Sequence, residues 1–138
     1  MTSVAGHMYE RDFPPEINKK WKLDPIELFD AQTIQKKCSG ALCHHIEVLS
    51  QGIDFLCLWL DCDKEGENIC FEVIRNCMKN LPKNYMDHVF WAKFSSLVES
   101  DIQVSFANMW NKPNENESNS VNARQILDLK IGVSFSRY

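Results

Sequence analysis

Phe55-Leu56-Cys57-Leu58-Trp59-Leu60-Asp61-Cys62-Asp63-Lys64-Glu65-Gly66-Glu67-Asn68 runs six apolar residues into four carboxylates within seven positions. An apolar run that short suits a strand covered on both faces, as in a parallel sheet under helices. The carboxyl end of such a strand is where open α/β sheets place their ligands. The acids therefore fall where a divalent cation and a phosphate would meet. Alternate residues of an extended segment point to one side, so Asp61 and Asp63 can reach the same ion. Hard oxygen ligands suit Mg²⁺, which keeps waters and phosphate oxygens at its other positions. Glu65, opening the following helix, is the third acid.

Two other readings fit the same residues. Acids also favour the first turn of a helix through its dipole, so a solvated turn is the plain alternative. Asp61, Asp63, Glu65, Gly66 and Glu72 fall at positions 1, 3, 5, 6 and 12 of a calcium-loop pattern. Against the calcium loop, 55–60 is apolar on every side, unlike an amphipathic entering helix, and no second such loop occurs.

Outward from the acids, Cys70, Val73, Ile74, Cys77, Met78 and Leu81 keep the i, i+3, i+4 rhythm of a helix that Pro82 stops. His88–Phe94 alternates enough for a strand. Val98–Trp110 reads as a helix, 111–119 as a loop or linker, and 120–135 as a last helix with Ile126, Leu129 and Val133 on one side. Upstream, 1–7 reads as a strand ending at Gly6-His7, 9–25 as an irregular loop with three prolines, and Ile26–Phe29 as a short strand. Residues 31–40 are polar, and Ala41–Gln51 is an amphipathic helix. Strands alternating with helices indicate βαβ units and an α/β fold with a parallel sheet.

The chain has 138 residues, 44% apolar and 25% charged, with a formal net charge of −4. That balance fits a globular unit and argues against a free-standing nucleic-acid binder, whose phosphate contacts need Lys and Arg. It leaves room for a nucleic-acid enzyme whose metal offsets the acids. Of six cysteines, Cys57, Cys70 and Cys77 fall at apolar positions, so reduced core thiols in a reducing compartment are expected. Residues 1–7 lack a basic segment and a long apolar core, so no secretory leader is expected. No run approaches a membrane span.

The segment Asp61-Cys62-Asp63-Lys64-Glu65-Gly66-Glu67-Asn68 after an apolar strand resembles the Toprim domain of type IA DNA topoisomerases. Ser3-Val4-Ala5-Gly6-His7, then Trp21 with Asp24-Pro25-Ile26-Glu27-Leu28-Phe29, are similar to the topoisomerase III branch. Leu58–Val73, Lys93-Phe94-Ser95-Ser96 and Ala123–Gly132 continue the resemblance in order, with the beta type the nearest in pattern. It covers nearly the whole chain.

The resemblance implies a Toprim, Rossmann-like parallel sheet flanked by helices. The family opens on a strand bearing a further Glu, which this chain is expected to lack. It implies a Toprim domain over 1–112, then a linker and the first helix of the next topoisomerase domain over 113–138. It implies Mg²⁺-assisted, ATP-independent passage of single strands through a transient phosphotyrosyl bond, on DNA, with RNA as a second substrate. By carry-over, Asp61, Asp63 and Glu65 hold Mg²⁺, with Glu65 also catalytic. His7, Lys93 and Arg124 contact nucleic acid. The nucleophilic tyrosine lies in a later domain, and Tyr138 is not read as that residue. Trp91, Lys93 and Lys130 stand where relatives carry Arg, and Lys lacks the bidentate fork of Arg. An accessory protein and a nuclear location, with the cytoplasm second, are also implied. A Toprim nuclease or primase, and a non-enzymatic Ca²⁺-binding module, are the alternatives.

Three weaker features have plain readings. Cys38, Cys43, His44 and His45 tempt a zinc site, but adjacent histidines on a helix point about 100° apart. Trp59 and Trp110 read as packing residues. Lys19-Lys20 and Lys36-Lys37 read as solvated pairs.

Overall fold

A computed structural model describes residues 1–20, 23–109 and 111–136. Trp21, Trp110 and Tyr138 lie outside the described residues.

The acid-bearing strand is β3 (Leu56–Leu58), followed by α4 (Lys64–Cys77), a 3₁₀ turn (Tyr85–His88) and β4 (Val89–Trp91). β3 and β4 pair in parallel, Leu56 with Val89 and Leu58 with Trp91. The expected βαβ crossover is therefore present. Leu58, Val89 and Trp91 face a core shared with Cys70, Val73, Ile74 and Cys77 of α4 and with Cys43 and Ile46 of α3 (Gly40–Leu49). Ser39 caps α3 by accepting from the Leu42 amide.

β3 is not covered on both faces. Phe55 is 57% exposed and Trp59 37%, while Leu58 is 4% exposed. Cys57 is exposed too, so the thiol expected in the core lies outside it; Cys70 and Cys77 are buried, and all six cysteines are free. Among the described residues β3 pairs with β4 alone, and the packed helices α3 and α4 share the one core on its inner side. The outer face carries rings instead: Phe55 on His88 and Phe90, and Trp59 on Phe94 and on Phe106 of α5 (Glu99–Ala107). Trp59 thus packs on two rings while staying partly exposed.

The N-terminal third departs from expectation. Residues 1–7 form no strand; the strand is β1 (Tyr9–Asp12), paired antiparallel with β2 (Ile34–Lys37). Both are too polar to show a period-2 apolar signal, and the Met8 carbonyl accepts from the Cys38 amide beside them. Pro15–Asn18 is a short helix, α1, within the segment read as irregular. Residues 25–30 are helix α2, not a strand. Asp24 accepts from the Ile26 amide, Pro25 takes the first turn, where no amide is needed, and Leu28 is buried.

The last helix, α6, spans Glu115–Ser136, so the segment read as a loop to residue 119 is largely helical. Its first turns dock on α4, which supplies partners for the Asn114 amide and the Ser118 hydroxyl. Lys36 is exposed, as expected, and pairs with Glu10 and Asp12 at the surface. Among the described residues no helix is long and apolar enough to cross a membrane.

Candidate functional site

The turn from β3 into α4 is built by its own residues. Asp63 is the N-cap of α4, its Oδ1 accepting from the Gly66 amide at 2.7 Å. Gly66 is required there: a Cβ at that position would lie 1.8 Å from the Asp61 carbonyl oxygen. Only hydrogen in place of a side chain lets the first turn of α4 close against the strand end. Asp61 and Asp63 are consequently exposed at the carboxyl end of β3.

Glu65 lies in the first turn of α4. Its Oε2 meets His7 Nε2 at 3.0 Å, and its Oε1 pairs with the Arg124 guanidinium. These partners lie 58 and 59 residues away. Three of the residues singled out in the sequence thus converge, from the segment ahead of β1, from α4 and from α6. Both oxygens of Glu65 are engaged, which leaves Asp61 and Asp63 Oδ2 as the open donors among the described residues.

Lys93 stands apart from that cluster. It lines a cleft of about 220 Å³ with Asp63, Cys62, Lys64, Glu67, Trp91 and Glu117. Its ammonium lies 4.7 Å from the centre of the Trp91 ring. Trp91 is 1% exposed, so the position expected to carry an arginine is a core residue here, and its indole Nε1 has no hydrogen-bond partner among the described residues. Lys130 donates to the Phe29 carbonyl on α2 and sits over the Phe29 ring. A larger cleft of about 280 Å³ is lined, among the described residues, by Pro25, Ile26, Phe29, Asp30 and Ser134.

The surprise is the inner face of α4. Asn68 and Glu72 are each 2% exposed, Asn76 is 9% and Glu67 is 6%. Glu72 accepts from the Met8 amide at 2.6 Å and from Asn68 Nδ2 at 3.3 Å, and meets His7 Nδ1 at 3.0 Å. Asn68 Oδ1 accepts from Ser118 and from Asn122, both on α6. Asn76 accepts from the Tyr9 hydroxyl. Glu67 accepts from the Asn114 amide at 2.6 Å. Burial raises the Glu67 carboxyl above its ordinary range, against the pull of that amide and of Lys93. Sequence reading missed this set. Residues 65, 68, 72 and 76 repeat at helical spacing, but the same pattern marks a solvated face.

Two alternatives fail on geometry. Residues 64–72 are continuous helix and Glu72 is buried, so no twelve-residue calcium loop forms. Cys43 is in the core and His45 bonds Thr2, so the zinc grouping is not assembled. Among the described residues no three or more His, Cys, Asp or Glu side chains gather closely enough to hold a metal ion. Two exposed carboxylates still fit Mg²⁺, which commonly takes one or two protein carboxylates and completes its shell with water and phosphate.

The comparisons with known proteins agree with this fold. The chain is 43% identical over 140 residues to DNA topoisomerase 3-beta of Arabidopsis thaliana. It is 45% identical over 146 residues to DNA topoisomerase 3-beta of Drosophila melanogaster. Against DNA topoisomerase 3-beta-1 of Homo sapiens it is 43% identical over 143 residues. Each alignment covers 100% of this chain and 16% of the relative, so the chain spans about one sixth of their length. The Toprim domain model matches residues 1–97, over the same β3–α4–β4 crossover that carries the acids, and the chain belongs to the Toprim domain family.

Proposed function

We propose that this chain is the metal-binding part of a type IA topoisomerase III, which breaks, passes and rejoins single-stranded DNA without ATP. RNA is a second substrate of the same chemistry. The observation that carries the reading is the convergence of His7, Glu65 and Arg124 beside Asp61 and Asp63 at the carboxyl end of β3. Likeness to topoisomerases over the whole of this chain favours this over a Toprim nuclease or primase.

Asp61 and Asp63 would hold Mg²⁺, and Glu65 completes the acidic site. When bound, the ion supplies positive charge at the scissile phosphate. Lys64 and Lys93, lining the cleft with Asp63, attract the backbone of the strand and offset the acids. Arg124 holds Glu65 and offers a second guanidinium edge to a phosphate. A tyrosine from a later domain provides the nucleophile, and the covalent bond it forms stores the phosphodiester energy, so no ATP is needed. Residues 113–138 lead into that next part of a longer nuclear protein, which also offers the surface for an accessory protein.

The test is anisotropy of a fluorescent single-stranded oligonucleotide titrated with this chain, with and without Mg²⁺. Binding that Mg²⁺ strengthens, and that Asp61→Asn/Asp63→Asn loses, supports the reading. Binding equal in the double variant, with or without the ion, overturns it.

A further inference from the structure

Glu72 is a carboxylate enclosed in the protein, 2% exposed, on the polar side of α4 between Asn68 and Asn76. Burying a carboxylate costs free energy that an apolar side chain at the same place would not. Its partners show what that cost secures. The Met8 amide and Asn68 Nδ2 donate to it, fixing the carboxyl in one orientation. The remaining contact is His7 Nδ1 at 3.0 Å. The opposite ring nitrogen, Nε2, meets Glu65 at the same distance. The imidazole is thus clamped between a buried carboxylate and the half-exposed Glu65.

We propose that Glu72 is a positioning residue for the acidic site: it fixes the His7 ring, and His7 holds Glu65. An imidazole with one partner can rotate about its side-chain bonds, whereas a carboxylate on the far nitrogen sets both the orientation and the place of the near one. Arg124, reaching Glu65 from α6, restrains its other oxygen. Glu72 does not reach the exposed acids itself. It acts two side chains away, through a bond path Glu72–His7–Glu65. The proposal rests on the reading of Asp61, Asp63 and Glu65 as a metal and nucleic-acid site.

A purely structural Glu72 would hold the Met8 amide and Asn68 and leave Glu65 unaffected. The two roles separate in a double-mutant cycle of Glu72→Gln and His7→Gln, made in this chain, with unfolding temperatures recorded for each variant. The first readout is the ¹H–¹⁵N correlation spectrum of the His7 ring. The second is Mg²⁺-dependent binding of the fluorescent single-stranded oligonucleotide. Each single variant is expected to weaken that binding by roughly tenfold to a hundredfold, the usual effect of losing an outer partner of a site. The double variant should lose no more than either single one, because both break the same path. In Glu72→Gln the ring signals should shift as they do in Glu65→Gln.

Additive losses, or a fall in binding with the His7 signals unmoved, would make Glu72 structural only and overturn the proposal. So would unchanged spectra and unchanged binding. Where Glu72→Gln fails to fold, Glu72→Asp keeps the buried charge and draws the carboxyl back by one methylene. The proposal then expects the His7 signals to shift, and unshifted signals overturn it. If the unmodified chain shows no Mg²⁺-dependent binding, the functional reading fails. The ring spectra then decide the positioning alone, for it if they shift in Glu72→Gln and against it if they do not.

Discussion

Helix α4 is buried on two sides, and the sides are made differently. One carries Cys70, Val73, Ile74 and Cys77 into the core under β3 and β4. The other carries Asn68, Glu72 and Asn76 against Met8, Tyr9 and α6, through hydrogen bonds. The apolar side gains by leaving water, an effect that has no direction of its own. The polar side gains little by burial itself and loses heavily if one partner goes, since the others are left unsatisfied. The lesson is a division of labour within one helix: the first side holds the fold, and the second places His7, Glu65 and Arg124.

The sharpest way to break that contrast is to truncate both sides. Glu72→Ala strands His7, Asn68 and the Met8 amide, and is expected to cost about 3–5 kcal/mol, as removal of one partner of a buried charged cluster does. Ile74→Ala leaves a cavity and is expected to cost about 2–4 kcal/mol. Urea unfolding of both variants checks the order. A loss under about 1 kcal/mol for Glu72→Ala would mean the polar side is no more than a tolerated surface.

A smaller effect is carried by Glu67. Burial raises its folded carboxyl above the ordinary 4.5. The folded state therefore holds this proton more tightly than the unfolded chain. The contribution to stability is present below 4.5 and is lost as pH rises through the folded value. Glu67→Gln lacks that loss, so its stability relative to the unmodified chain should improve from acid to neutral pH. Unfolding curves at the two ends of that range measure it, and a difference that does not change with pH would contradict the burial cause.

The smallest effect separates the thiols. Burial pushes Cys70 up to about 12 and raises Cys77 as well. Cys43 is equally enclosed, whereas Cys38, Cys57 and Cys62 are exposed. Alkylation at neutral pH should label those three first, read by mass spectrometry. The buried three should react only on unfolding. Early labelling of Cys70 would mean that the apolar side of α4 opens locally.

What could be read in advance follows from the same contrast. The crossover β3–α4–β4 was legible because Cys70, Val73, Ile74 and Cys77 keep a helical period and the apolar run 55–60 ends in acids. The meeting of His7 and Arg124 at Glu65 was only half legible. Each residue stood out within its own segment, but no local pattern joins positions 58 residues apart. Strand β1 and strand β2 were hidden because Tyr9-Glu10-Arg11-Asp12 and Ile34-Gln35-Lys36-Lys37 lack alternating apolar residues. Ile26–Phe29 looked like a strand by composition, while the cap at Asp24 and Pro25 decided for helix. Polar residues at helical spacing point to water until a partner is known, and the partners of Asn68 lie on α6, at Ser118 and Asn122.

The acidic end of β3 is tested most directly by calorimetric titration of Mg²⁺ and Ca²⁺ into this chain, into Asp61→Asn/Asp63→Asn and into Glu65→Gln. Two exposed carboxylates predict weak Mg²⁺ binding that the aspartate double variant abolishes. Glu65→Gln should reduce it less, because His7 and Arg124 already engage that carboxylate. Tight, Ca²⁺-selective binding, or binding that survives loss of both aspartates, would contradict this site.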